Sequence, residues 1–202
     1  KNKKIISIVS DAGTPAISDP GYRLIRLCVD NNIRYTLIPG ASSVINALIM
    51  SGLPTDKFSF YGFIPRKISE QERFIDFLKY DGKTAIFFES SKRVENTLNN
   101  LSKWIEPDRG ISICKEMTKI HENVIRGKLS NILESIHKNK INLKGEIVVV
   151  IEGSNKNEIK FQIDPKVKKE FLAKLPARDA AKLIASISGE NKREIYKKLI
   201  EK

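Results

Sequence analysis

Two polar stretches of this sequence have residue types and spacing suited to a reactive site. The first, Val9-Ser10-Asp11-Ala12-Gly13-Thr14-Pro15-Ala16-Ile17-Ser18-Asp19-Pro20-Gly21, sets two acids and three hydroxyls among glycines and prolines. Gly13 lets the main chain come close to a bound molecule, while Pro15 and Pro20 stiffen the loop and withdraw two amide donors. Asp11 and Asp19 supply acceptors. The second stretch, Lys115-Glu116 with Lys119 and Glu122, places a lysine beside a carboxylate, a pairing that steers a phosphate or helps remove a hydroxyl proton. Glu89 and Arg93 form a third polar cluster. Each has an ordinary reading too. Gly-Thr-Pro and Asp-Pro-Gly are common turn chemistry, and Lys–Glu pairs at strand ends are surface ion pairs of small energetic weight. The sequence has no nucleophile–base–orienter arrangement, no P-loop and no Gly-x-Gly-x-x-Gly.

The elements that must hold these residues follow from hydrophobic periodicity. Ile5 to Val9 is an apolar run that predicts a buried strand, and Leu24, Ile25, Leu27 and Cys28 predict a helix over about 21–31. Arg34 to Ile38 predicts a second strand. It leads into Pro39-Gly40-Ala41-Ser42-Ser43 and a helix with Val44, Ile45, Leu48 and Ile49 on one face, ended by Gly52. This βαβα order predicts a parallel sheet, and loops at the carboxyl ends of such strands converge on a ligand crevice. Ser42 and Ser43 suit a helix cap or a ligand equally. Gly52-Leu53-Pro54-Thr55-Asp56 marks a domain boundary, dividing the chain into 1–55, 56–153 and a tail, 154–202. The second block alternates again: strands at 58–63, 84–88, 111–114, 123–127 and 146–151. Between them lie a helix opened by a Ser69/Glu72 capping box and carrying Phe74, Phe77 and Leu78, another with Val94, Leu98 and Leu101, and one near 130–138. Two consecutive strands with a short connection imply a mixed sheet. Polar residues at these strand ends, Glu89 and Lys115–Glu116 among them, reach the same crevice as the first-domain loops.

The net charge of +12 favours a polyanionic partner, above all nucleic acid, or reflects a lysine-rich composition alone. The tail from residue 155 holds thirteen Lys and Arg against seven Asp and Glu, half of the chain's excess charge on about a quarter of its length. Two helical patterns, Ala180-Leu183-Ile184-Ile187 and Ile195-Tyr196-Leu199-Ile200, flank Ser188-Gly189-Glu190-Asn191. That layout fits a helix-turn-helix or a basic helical hairpin packed on the body. No run approaches the roughly 18 apolar residues of a membrane helix, so no membrane partner and a cytoplasmic location are expected. Cys28 and Cys114 read as small buried side chains in a reducing compartment. His121 and His137 lack metal-ligand spacing, and no metal is expected. Taken alone, the residues describe a basic α/β protein with a ligand crevice between two domains and name no reaction.

A family resemblance adds the reaction. Ser10 to Pro15, Ser18 to Gly21, Ile38 to Ser43, Ser51 to Pro54, Tyr61 to Pro65, Phe88 to Ser90 with Arg93, Lys115 to Lys119 and Lys144 to Val148 occur as ordered matches. Together with the tail around Lys192 to Ile200, they resemble the ribosomal RNA small subunit methyltransferase I family, a branch of the tetrapyrrole methylase superfamily. The resemblance covers essentially the whole chain. It implies two α/β domains of the tetrapyrrole methylase, or class III methyltransferase, type, with a helical carboxyl-terminal tail. It also implies S-adenosylmethionine-dependent 2′-O-methylation of a cytidine ribose in 16S ribosomal RNA, on the small ribosomal subunit, by a homodimer.

Carried over by motif, the cofactor contacts implied are Asp11, Gly13, Thr14 and Ile17 on the first loop, Ser42 and Ser43 on the second, and Glu89 and Met117 from the second domain. Asp11, Lys115 and Glu116 are the side chains implied to position the ribose or accept its proton. One departure is visible: the family's first domain opens with a Gly-rich strand–loop and an acidic segment that this sequence lacks. The first domain is therefore expected to be truncated, its crevice wall incomplete and its activity impaired. Two other functions stay in view, methylation of a tetrapyrrole or other small molecule and RNA binding without catalysis.

Overall fold

A computed structural model describes residues 5–10, 13–155, 165–188 and 191–200. Period-two alternation builds its centre. Along β5 (Glu146–Ile151), Ile147, Val149 and Ile151 face one side while Val148 and Val150 face the other, and all five are buried. A strand apolar on both faces belongs in the middle of a covered sheet, and β5 lies between β2 (Thr84–Ser90) and β3 (Gly110–Lys115). The sheet order is β1-β2-β5-β3-β4, with β1 spanning Phe58–Phe63 and β4 spanning Asn123–Lys128. β1 runs parallel to β2 and the other pairings are antiparallel, so the sheet is mixed.

Helices cover both faces. α3 (Ile68–Tyr80), α4 (Val94–Leu101) and α5 (Leu129–His137) bring Ile75, Leu78, Leu98, Leu101 and Ile132 onto Ala85, Phe87, Ile113 and Val149. On the other face α2 (Ser43–Ser51) packs Val44, Ala47 and Leu48 against Ile86, Cys114, Val148 and Val150. Gly52, at φ 72°, ends α2 in the left-handed conformation that glycine adopts without strain. Arg126 donates from Nε to the Met50 carbonyl at 2.6 Å, tying the same helix end to β4. At the far end of the sheet the nearly buried Arg109 donates to the carbonyls of Glu152 (2.7 Å), Leu78 (3.0 Å) and Asp81 (3.4 Å). One guanidinium thus serves the last turn of α3 and the exit of β5 together.

Three expectations from the sequence are corrected. Residues 5–10 and 33–42 form no strand, so the parallel βαβα sheet of the first block is not made among the described residues. Apolar alternation gives a strand only where another strand offers a hydrogen-bonding edge. Neither segment pairs with β1, the edge strand of the sheet, or with the other, and Ile5, Ile6, Val9, Leu37 and Ile38 are exposed. α1 (Tyr22–Asp30) forms where the spacing predicts it but buries none of its residues, and Cys28 is half-buried while Cys114 is fully buried. The Ser69/Glu72 capping box is also absent. α3 starts at Ile68 with Lys67 as its cap, which places Ser69 inside the first turn rather than ahead of it.

Residues 1–155 form one compact unit and 156–202 another. In the second, α6 (Pro165–Lys174) precedes α7 (Ala177–Ser188) and α8 (Lys192–Ile200). Ala180, Ala181, Ile184, Ile195 and Leu199 form its small core, with Phe171 and Leu175 against it. α7 and α8 are the two helical patterns seen in the sequence. Gly189 and Glu190, between them, lie outside the described residues. No helix among the described residues is long and apolar enough to cross a membrane.

Candidate active site

The first loop, the start of α2, the end of β2 and the entry to β5 border one cleft of about 480 Å³. Ser42 caps α2, its hydroxyl accepting from the Ile45 amide at 3.5 Å, so the helix amino terminus opens onto the cleft at Ser42, Ser43 and Val44. Thr14 reaches across from the first loop and donates from Oγ1 to the Ala41 carbonyl at 3.1 Å. This bond joins the two loops that precede α1 and α2. The opposite wall is aromatic and aliphatic: Phe63 and Phe88 meet edge-to-face at 5.4 Å, with Met117 and Ile147 nearby.

The main chain around the cleft is bent in an unusual way. Ala16, Ser18, Glu116 and Thr118 all have positive φ, between 48° and 69°, a region that residues with a Cβ enter at a cost. Ser18 lines the cleft, Ala16 lies in the same loop, and Glu116 and Thr118 flank the lining residue Met117. Such strain persists where surrounding contacts over-determine it, and it concentrates at ligand sites. Gly13 (φ 73°) and Gly145 (φ 106°) complete the set.

Gly13, Thr14, Ile17, Ser42, Ser43, Glu89 and Met117 line this cleft together. Asp11 lies outside the described residues. Glu89 lines it in a way that its charge does not suggest. Its side chain has no exposed surface. The carboxylate accepts from the Ser90 amide (2.7 Å) and the Thr97 hydroxyl (2.8 Å) and pairs with Arg93 (3.1 Å), which also donates to the Ile64 carbonyl at 3.0 Å. Glu89 therefore anchors the bend from β2 into α4 and ties it to the exit of β1, and offers the cleft its main chain.

Lys115 and Glu116 do not line the cleft; they hold its wall from behind. The Lys115 amine, nearly buried, donates to the Asn142 carbonyl. Glu116 donates its amide to the Glu146 carbonyl at 2.9 Å, and its Oε1 accepts from the Glu146 amide at 2.6 Å. Lys119 bridges Glu116 (3.5 Å) and Glu146 (2.9 Å). The Glu146 amide, with Lys119 beside it, holds the Glu116 carboxyl below the usual carboxylate range, and the hydrogen bond to Glu146 pushes the Lys119 ammonium upward. The network fixes Gly145 and Glu146, which do line the cleft with Ile147 and Val148.

Sequence reasoning missed Phe63, Phe88, Ser90, Ser91 and the 145–148 segment as lining residues. The signal for the last was present in Lys144-Gly145-Glu146, a glycine just ahead of the most apolar strand. Phe88 was hidden because strand alternation explains it fully as core.

Comparison with known proteins gives three findings. The family described as Tetrapyrrole (Corrin/Porphyrin) Methylases matches residues 1–133, and the RsmI C-terminal HTH domain matches residues 166–202. The chain is 36% identical to the ribosomal RNA small subunit methyltransferase I of Mycobacterium tuberculosis over 99% of its own length and 70% of that protein. Against the protein of the same name from Haemophilus influenzae it is 36% identical, covering 95% of this chain and 69% of the relative. Among solved structures, the methyltransferase CobJ superimposes with a TM-score of 0.51 at 14% identity, over 73% of this chain and 64% of that one. The cobalt precorrin-4 methyltransferase CbiF gives 0.50 at 16%, over 69% and 61%. At those identities the likeness is one of fold.

Proposed function

We propose that this chain, which belongs to the tetrapyrrole methylase family and within it to the ribosomal RNA small subunit methyltransferase I family, is an S-adenosylmethionine-dependent methyltransferase of 16S ribosomal RNA that acts on the 2′-hydroxyl of a cytidine. The observation that carries the reading is the convergence of Gly13, Thr14, Ile17, Ser42, Ser43 and Met117 on one cleft, supported by relatives named ribosomal RNA small subunit methyltransferase I. The cleft fits such a cofactor. Its volume of about 480 Å³ lies within the roughly 300–1,000 Å³ of small-molecule sites. The amino terminus of α2 and the hydroxyls of Thr14, Ser43, Ser90 and Ser91 suit a charged amino-acid end, and Phe63, Phe88 and Met117 suit an apolar ring.

When bound, S-adenosylmethionine supplies a methyl group that moves from its sulfonium sulfur to the ribose oxygen while the hydroxyl loses its proton, leaving S-adenosylhomocysteine. The protein's part is alignment, which lowers the barrier by removing translational and rotational freedom from the reacting pair. The Thr14–Ala41 bond fixes the two first-domain loops against each other. Glu89 and Arg93 fix the β2 exit, and the Glu116–Lys119–Glu146 network fixes the β5 entry. Because Lys115 and Glu116 are engaged with Asn142 and Glu146, we assign them to shaping the wall. Asp11 is the remaining candidate to reach the ribose hydroxyl. Residues 1–55 and 56–153 act as the two lobes of the site, and the reading includes a homodimer, which sedimentation velocity tests.

The direct test combines calorimetric titration of S-adenosylmethionine with transfer of labelled methyl to small ribosomal subunits that lack the modification. Expected are saturable binding and a label that protects one phosphodiester from alkaline cleavage, since O2′ is then blocked. Label on a base, or on a tetrapyrrole and not on RNA, refutes the reading. So does absence of cofactor binding both by this chain and by a form extended to the length of its relatives.

A further inference from the structure

α8 carries more positive charge than its own stability calls for. Lys197 and Lys198 stand in its last turn, where the helix dipole favours cations, but Lys192 and Arg193 stand in its first turn, where the same dipole opposes them. Glu194 is the one acid among its nine residues. Arg193 and Lys197 also lie four residues apart, a spacing at which like charges repel on a helix surface. Neither takes part in an ion pair among the described residues.

The placement of these cations is ordered. Ile195 and Leu199 turn inward onto Ala180, Ala181 and Ile184 of α7. Arg193, Tyr196, Lys197 and Ile200 recur at three- and four-residue spacing, which groups them on another face of the helix, and all four are exposed. Tyr196, 39% exposed, thus lies beside two cations that make no ion pair among the described residues, on a unit whose thirteen Lys and Arg outnumber seven Asp and Glu. A protein partner with an acidic surface would use the cations and leave the ring without a purpose. An unpaired nucleotide uses both, since every base has a face that stacks on an aromatic side chain and every phosphate takes a cation.

We infer that this face of α8 is a docking surface for single-stranded RNA, with Tyr196 stacking on a base and Arg193 and Lys197 pairing with the flanking phosphates. The inference rests on the reading that the substrate is RNA, but not on the chemistry at the cleft.

The experiment is fluorescence anisotropy of a labelled single-stranded RNA of mixed sequence titrated with the full chain across a range of salt concentrations. Tyr196→Ala is expected to weaken binding about 5- to 150-fold, the range of a lost base–aromatic stack, and Tyr196→Phe to retain it. Arg193→Ala/Lys197→Ala should lower the slope of log affinity against log salt by about 1.4, two single-strand phosphate contacts at roughly 0.7 each. The control is Lys103→Ala/Lys138→Ala, which removes two exposed cations from residues 1–155. Wild-type affinity in Tyr196→Ala, an equal loss in the control, or no RNA binding by the unmodified chain overturns the inference. Calorimetry with S-adenosylmethionine runs in parallel, so that failure at the cleft is read separately from failure on α8, and circular dichroism confirms that each variant keeps its helices.

Discussion

Replacing Gly145 with alanine tests the wall of the cleft at its tightest point. Gly145 has φ 106°, and a Cβ there would stand 2.7 Å from both Cγ and Oε1 of Glu116 and 2.9 Å from its Cδ. Two terms add. Holding an L-residue in left-handed conformation costs about 1–2 kcal/mol, and forcing a methyl group into a packed contact costs about 1–3 kcal/mol. The expected destabilisation is therefore about 2–5 kcal/mol, a large part of the roughly 5–15 kcal/mol that holds a domain folded. Urea unfolding followed by circular dichroism measures it. The contact also predicts a sign of coupling. In Gly145→Ala/Glu116→Ala the clash is gone while the strain in φ persists, so the double variant should be less destabilised than the sum of the singles. Because Glu146, Ile147 and Val148 line the cleft, cofactor affinity should fall in Gly145→Ala as the turn shifts. A Gly145→Ala protein within about 0.5 kcal/mol of the parent, the range of an inert surface change, would refute this account of the wall.

Four further outcomes are expected. Glu89→Ala strips Arg93 of its buried partner and should cost about 3 kcal/mol, toward the low end for a broken buried pair because Arg93 is partly exposed; Glu89→Gln should lose less in the same urea assay. Arg109→Ala leaves the carbonyls of Leu78, Asp81 and Glu152 without their donor and should cost about 3–5 kcal/mol. Arg109→Lys should recover little of this, since one ammonium cannot match a guanidinium's fork. The Glu116 carboxyl, held below the usual range chiefly by the Glu146 amide, gives stability that is complete above the unfolded carboxylate value of about 4.3 and is lost as pH falls through the lower folded value; acid unfolding of Glu116→Gln should show a shallower slope there. Burial, with the hydrogen bond to Asp81, pushes the Tyr61 hydroxyl up to about 12. Its contribution is complete below the unfolded value near 10 and is lost as pH rises through 12, so ultraviolet titration should find one of the five tyrosines ionising last, and Tyr61→Phe should remove that step.

The centre of the fold was legible because one strand's sequence records its surroundings. Ile147 to Ile151 alternates between two cores, both apolar, which is the pattern of a strand covered on both faces. Residues 5–9 carry the same kind of pattern and form no strand, because a strand is a relation between two segments and the sequence of one cannot supply the other. The cleft was readable where special backbone demanded special residues, at Gly13 and at the Ser42 cap. Glu89 and Glu116 were harder. A carboxylate at a strand end looks the same whether it meets a ligand or groups of the protein itself, and here the amides of Ser90 and Glu146 and the Thr97 hydroxyl hold the two carboxylates within the fold.

The position of β5 bears on how the protein is made. The strand at the middle of the sheet is the last of the five to leave the ribosome, yet β2, β3 and α2 all pack on it. Until residues 146–151 emerge, β2 and β3 each lack a neighbour, and the apolar side of α2 waits about a hundred residues for Val148 and Val150. Contacts so distant along the chain form slowly, and half-finished sheets expose sticky edges. Nascent chains halted before Glu146 should therefore be captured by chaperones and cut by proteases, and release of the final strand should bring protection in a single late step.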